Sequence, residues 1–302
     1  MSFPLFLRTV PPTVNPKKLY VQHFSLTPQP PGDVVTIPGT GTSGPLVFQG
    51  PQEGVFEGFQ IMLTATAPGS LLLTKMDHRI TRSLISGFIH ADSIFGIPIM
   101  PGAGAGLGVF PYYLPETLWL RRTETLAIQF QNLSGQNNIV RCVMHGRLYV
   151  QQLADSLAAN SDAIQKAEIL NLTTAPFFFT TSSQPLADGV AAHGISALAT
   201  VKTTINIAND GAFELGKISG SSTGAFTLKI YDPNTGRVLT NQPIHSDLIV
   251  GSSAFPYILP EPLFMKRSGY LNLEITDLSG NVNDIYLTLA GRRIYSGDQS
   301  LP

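Results

Sequence analysis

Charge is scarce in this chain: Asp, Glu, Lys and Arg make up 13% of its 302 residues, against about 25% in an average soluble domain. The formal net charge is -1, so no basic stripe is available to neutralise phosphates. Nucleic acid is therefore excluded as an expected partner, and nothing steers the chain to an anionic membrane. A single cysteine, Cys142, rules out an internal disulfide and the stapled scaffold of a small secreted domain. No apolar run reaches the roughly 20 residues that a membrane-spanning helix needs. The opening MSFPLFLRTVPP places its first charge after a short apolar run broken by proline, so no signal peptide is expected. So few charges leave exposed faces weakly separated in water, and a partner is expected to cover much of the surface.

What the chain does have is itself, twice. Phe110 to Val150 aligns without a gap on Phe255 to Tyr295, Gly69 to Gly96 on Gly224 to Gly251, and GVFEGFQI at Gly54 on GAFELGKI at Gly211. More loosely, PLFLRT at Pro4 matches PFFFTT at Pro176. Self-similarity on this scale means two similar domains, not a solenoid of short repeats.

The repeated blocks read as strands. Leu126, Ile128 and Phe130 alternate with Ala127 and Gln129, and Leu271, Leu273 and Ile275 keep the same face in the second copy. Period two marks a half-buried strand. After an Asn/Asp-Leu-Ser-Gly turn at Asn132 and at Asp277, the alternation returns as Val140, Cys142, Met144 and as Ile285, Leu287, Leu289, which is the pattern of a hairpin. Since Leu287 stands where the first copy has Cys142, the thiol reads as a small buried hydrophobe. Pro111, Pro115, Pro256 and Pro260 punctuate the segment before each hairpin, which suits an edge strand or an extended connection. Gln151 to Leu170 is alanine-rich and lacks Gly and Pro, so it reads as a short helical linker. The expected fold is all-β: two tandem, duplicated β-sandwich domains of jelly-roll-like type, 1–150 and 171–302, joined by a helix over 151–170.

Several motifs resemble chemistry without supporting it. GAFELGKI at Gly211 nearly spells a phosphate-binding loop, but Ile218 stands where a Ser or Thr must hold magnesium. GSSTG at Gly220 matches a nucleophile elbow by letters, yet a strand and not a helix follows it. GAGAGLG at Gly102 lacks the dinucleotide-binding spacing. His90 with Asp92 recurs as His245 with Asp247, which makes these four the candidate metal ligands. Two ligands are not a site, and a His-Asp hydrogen bond at a strand end is the preferred reading. The recurring Glu116 and Glu261, Arg122 and Arg267, and Arg147 and Arg292 read as structural bridges, and the Tyr112/Tyr257 and Trp119/Phe264 pairs as packing. No catalytic residue, resident metal or cofactor is expected. The first copy passes from Gly96 to Phe110 through an uncharged apolar insertion that the second copy lacks. Ile97, Ile99, Met100, Leu107 and Val109 within it are the candidate interface residues.

The succession of LPE-x-L, an L-x-L-x-I strand, an LSG turn and a closing L-x-L-x-G-R strand, over Phe110 to Val150 and Phe255 to Tyr295, resembles structural proteins of bacteriophage virions. That resemblance implies a capsid-associated role in the virion: a minor capsid or decoration protein, or part of a collar, vertex or fibre base. A tandem jelly-roll major capsid protein is the neighbouring alternative, and a carbohydrate- or receptor-binding module is another. The expected partners are further copies of the chain, with a trimer favoured, and other virion proteins.

Overall fold

Side chains that alternate in the sequence alternate in space. In the computed structural model Leu126, Ile128 and Phe130 are buried while Ala127 and Gln129 between them are half-exposed, and Leu271, Leu273 and Ile275 repeat the pattern. The structure describes residues 19–25, 35–51, 54–66, 71–79, 82–94, 112–121, 124–150, 174–181, 194–232, 237–253 and 255–295. The expected helix over 151–170 and the insertion carrying Ile97, Ile99, Met100, Leu107 and Val109 lie outside these residues.

The elements of the first half are β1 (Leu19–Ser25), β2 (Val35–Ile37), β3 (Leu46–Gln49), β4 (Gly54–Ala65), β5 (Leu71–His78), β6 (Arg82–Ser83), β7 (Ile89–His90), α1 (Ala91–Ile94), β8 (Tyr112–Leu120), β9 (Thr125–Asn132) and β10 (Asn138–Val150). The second half repeats them in order: β11 (Thr174–Thr180), β12 (Gly194–Ile195), β13 (Thr200–Asn206), β14 (Gly211–Ser222), β15 (Phe226–Asp232), β16 (Arg237–Val238), β17 (Ile244–His245), α2 (Ser246–Ile249), β18 (Tyr257–Met265), β19 (Tyr270–Asp277) and β20 (Asn283–Tyr295).

Pairing is antiparallel throughout the named strands, and the topology is duplicated too. One sheet runs β1-β10-β4-β8 and its counterpart β11-β20-β14-β18; the other runs β3-β9-β5-β6 and its counterpart β13-β19-β15-β16. Sequential strands thus jump between two facing sheets, the jelly-roll-like form of a β-sandwich. As the prolines require, β8 and β18 are edge strands. The register corrects one expectation. Leu19 pairs with Tyr149 as Thr174 pairs with Ile294, so the counterpart of β11 is Leu19–Ser25 and not the segment at Pro4.

Each sandwich has its own core. Leu126, Ile128, Val140, Cys142 and Met144 share the first, and Leu271, Leu273, Ile285, Leu287 and Leu289 the second. Burial pushes the Cys142 thiol pKa up, which keeps it protonated and unreactive. Leu273 is fully buried, so Leu273→Ala should cost about 2–5 kcal/mol, measured by chemical denaturation.

The LSG hairpins close as the turn chemistry demands. Gly135 and Gly280 sit at φ +70° and +72°, the left-handed region that glycine enters without strain. Ahead of each, a buried side chain organises the loop. The Asn132 amide donates to the Gln136 carbonyl at 2.6 Å, and its carbonyl accepts the Ser134 N–H at 3.0 Å. Asp277 accepts from the Leu198 N–H at 2.9 Å, the Ser279 hydroxyl at 2.8 Å and the Asn283 amide at 2.8 Å. Burial alone would raise its pKa, but these hydrogen bonds outweigh it and hold the carboxyl well below the usual carboxylate range.

Candidate functional site: the seam between the two halves

The residues that looked like ligands do other things. His90 is buried in the first half, and its ring stacks on Tyr286 of the second at 4.5 Å. His245 is 40% exposed; its Nδ1 accepts the Asp247 N–H at 3.3 Å, capping α2, with the Asp247 carboxylate 3.6 Å away. The Asp92 side chain lies outside the described residues. Among the described residues no group of three or more His, Cys, Asp or Glu could hold a metal ion. His245→Gln removes the imidazole that caps α2 and should cost about 0.5–2 kcal/mol at most, and metal analysis of the variant and the parent should agree. Stoichiometric metal lost on substitution would contradict this.

The other motifs settle into strands. GAFELGKI forms the start of β14, and GSSTG runs from its end into the turn before β15. A buried charge cluster not singled out in the sequence occupies the end of β5: His78 Nε2 lies 3.5 Å from the Glu124 carboxylate, which also holds Arg79. Burial lowers the His78 pKa against the pull of Glu124, so the ring stays neutral near pH 7. No repeat of this cluster is possible in the second half, where Gly269 replaces Glu124 and Pro233 replaces His78.

The most elaborate constellation lies where the halves meet. Ser93 of α1 is fully buried against β20 and β14. Its hydroxyl donates to the His90 carbonyl at 2.8 Å, which leaves it to accept from the Thr288 hydroxyl at 2.8 Å. Ser219 then donates to the Ser93 carbonyl at 2.6 Å. All three hydroxyls are buried and satisfied, as burial of polar groups requires. On the edge strand β8, the Tyr113 carbonyl accepts from Lys217 Nζ at 3.0 Å, and burial pulls the Lys217 pKa down to about 8.

Two further contacts lock the seam. Arg292 grips Glu214 at 2.7 Å within its own sheet and reaches Glu116 of β8 at 3.8 Å. Glu116 was expected to recur with Arg122, which lies outside the described residues; its partner here comes from the other half. Beside it, Phe178 of β11 leaves its own sandwich and joins the first core, 6.2 Å from the Tyr112 ring. The Phe178 N–H donates to the Leu84 carbonyl at 2.9 Å, and the Ser86 N–H to the Phe178 carbonyl at 3.0 Å. The second half's sheet therefore continues, through β11, into the first half.

No family model matches the chain, and no curated protein matches it closely enough to count as a relative. Among solved structures it is similar to the triple jelly-roll fold and turret assembly of an archaeal virus, at 14% identity and a TM-score of 0.26, covering 88% of this chain and 60% of that one. It is similar to the VP2 subviral particle of infectious bursal disease virus at 12% identity and a TM-score of 0.23, covering 93% and 73%. It is also similar to procruciferin, the 11S globulin of Brassica napus, at 10% identity and a TM-score of 0.18, covering 89% and 80%. The chain thus spans about 60% of the length of the archaeal-virus chain. These likenesses are weak, and the jelly-roll-like order stands on the strand pairing alone.

The hydroxyls of the seam were missed in the sequence because Ser93, Ser219 and Thr288 belong to no motif, and the repeated His90, Glu116 and Arg292 were read within their own halves. The signal of the seam was present where the two copies disagree in polarity: Ser93 against Leu248, Thr288 against Val143, Ser219 against Met62.

Proposed function

We propose that this chain is a structural component of a virus particle, capsid-associated and self-assembling, with no catalytic role. The observation that carries this reading is the seam: two jelly-roll-like sandwiches, whose described strands run from Leu19 to Val150 and from Thr174 to Tyr295 and to which we assign the bounds 1–150 and 171–302, are fastened by a buried face with satisfied hydroxyls, an ion pair and a shared phenylalanine. Such a joint makes one rigid block of two similar bricks, which suits a shell or a shell-bound unit. The low charge content and the large apolar residues left in water, among them Leu248 and Phe255 at 72% and 67% exposure, support coverage by neighbours. The resemblance of both hairpin blocks to phage virion proteins points the same way.

Between a decoration or fibre-base protein and a shell protein of two tandem sandwiches, the seam favours the second, because it presents two nearly equivalent units in fixed relation. The insertion with Ile97, Ile99, Met100, Leu107 and Val109 is proposed as a further contact between copies. Light scattering of the purified protein, together with co-sedimentation with virus particles, tests the reading. A defined oligomer that sediments with particles is expected. A chain that stays monomeric at high concentration and stays out of the particle fraction would overturn it.

A further inference from the structure

Duplication allows each half to serve as a control for the other, and the two halves are not covered alike. On the first half, Leu84, Ser93 and Glu116 are buried by the second at 0%, 0% and 8% exposure; their counterparts Leu239, Leu248 and Glu261 lie in water, Leu239 at 40% and Leu248 at 72%. The reverse holds on the outer sheet face. Ser219, Thr288 and Ala290 of the second half are buried by the first, whereas their counterparts Met62, Val143 and His145 are half-exposed. One chain therefore shows both sides of the seam a second time, uncovered, and on opposite halves.

We propose that the end of the second sandwich, at Leu239, Leu248 and Glu261, docks on the outer sheet face of the first sandwich of a second copy, at Met62, Val143 and Arg147, repeating the seam head to tail. This rests on the self-assembling reading above and names the surfaces that perform it. The chemistry of the two open surfaces is matched. Where the internal seam joins Ser93 to Thr288 and Ser219, the repeat joins Leu248 to Val143 and Met62, so the polar set is exchanged as a group for an apolar one. Where Arg292 spans Glu214 and Glu116, Arg147 already lies 3.7 Å from Glu57 and brings its charge to the face that Glu261 meets. Where Lys217 donates to the Tyr113 carbonyl, Gln60 offers an amide to the carbonyl of Ile258. Among the described residues β1 ends its sheet, and its backbone at His23 takes the place of Phe178, open to the segment around Leu239 as Phe178 is to Leu84. Such edge pairing between chains is an established mode of association. Head-to-tail contacts are heterologous, so they close into a ring or continue as a filament, and a two-fold pair does not arise from them.

The test is a directed cross-link in the full chain. Ser93 and Thr288 touch through their hydroxyls, so cysteines at the matching positions 248 and 143 fall within disulfide reach, and the native Cys142 is buried and unreactive. Leu248→Cys chains mixed with Val143→Cys chains should give a covalent dimer on oxidation, and neither variant alone should. In parallel, Leu248→Asp should weaken association at least tenfold while Val282→Asp, on a residue 69% exposed in the turn between β19 and β20, should not. If the parent is an oligomer but the mixture does not cross-link, or if Leu248→Cys pairs with itself, these surfaces are wrong and self-assembly stands. If the parent is monomeric and avoids particles, the self-assembling reading falls, and this inference falls with it.

Discussion

Phe178→Ala should cost about 3–5 kcal/mol, and the loss should register in the half of the molecule that does not contain residue 178. The side chain is 1% exposed and packs in the first core with Tyr112, while its neighbours Phe177 and Phe179 pack in the second. The single tryptophan, Trp119, is buried in the first half against Tyr149, so its fluorescence reports that sandwich. Denaturant titration followed at Trp119 should show a clearly lower midpoint for Phe178→Ala. An unchanged midpoint would mean that the seam contributes little and that the halves are independent bodies.

Acid should destabilise the fold in part through Asp277. Its folded-state pKa lies below that of the unfolded chain, where a free aspartate titrates near 3.9. Its stabilising contribution is therefore complete above about pH 4 and is lost as pH falls toward the depressed folded value. The Asp277→Asn variant should be less stable than the parent at pH 7, because an amide NH₂ would face the Leu198, Ser279 and Asn283 donors, but its stability should fall less between pH 5 and pH 2. Parallel denaturation curves across that range settle it: equal slopes for variant and parent would show that Asp277 is not the titrating group. The first half offers a natural control, since the equivalent Asn132 carries no charge, accepting the Ser134 N–H through its carbonyl and donating its amide to backbone carbonyls.

The fold was largely legible because it was written twice. Alternation at Leu126, Ile128 and Phe130 could be coincidence once, but its repetition at Leu271, Leu273 and Ile275 ties it to a buried face. The LSG turns were equally plain, because Asn or Asp followed by Gly leaves the backbone few other routes. Strand order was not legible, since period two says which face is buried and nothing about which strand lies alongside. The His90/His245 repeat misled in a physical way. Duplication preserves a residue in the sequence without preserving its surroundings, and one histidine was enclosed by the seam while the other stayed in solvent as a helix cap. The seam itself needed the opposite reading. Similarity between the copies reports the sandwich, whereas the contrast of Ser93 with Leu248 reports what each sandwich is pressed against.

The strand β11 also sets a schedule. As the chain is made from its N-terminus, the first sandwich has all of its described strands once Val150 has been added, yet its core still lacks Phe178 and the segment Leu84–Ser86 still lacks the backbone that hydrogen-bonds it. A nascent chain halted before residue 178 holds an open sandwich with Tyr112 bared and the Ser93 carbonyl still without its Ser219 donor, a sticky intermediate of the kind that chaperones attend. Completion of the first half waits on synthesis of the second, so ribosome pausing between these points would be expected to lower the yield of soluble protein.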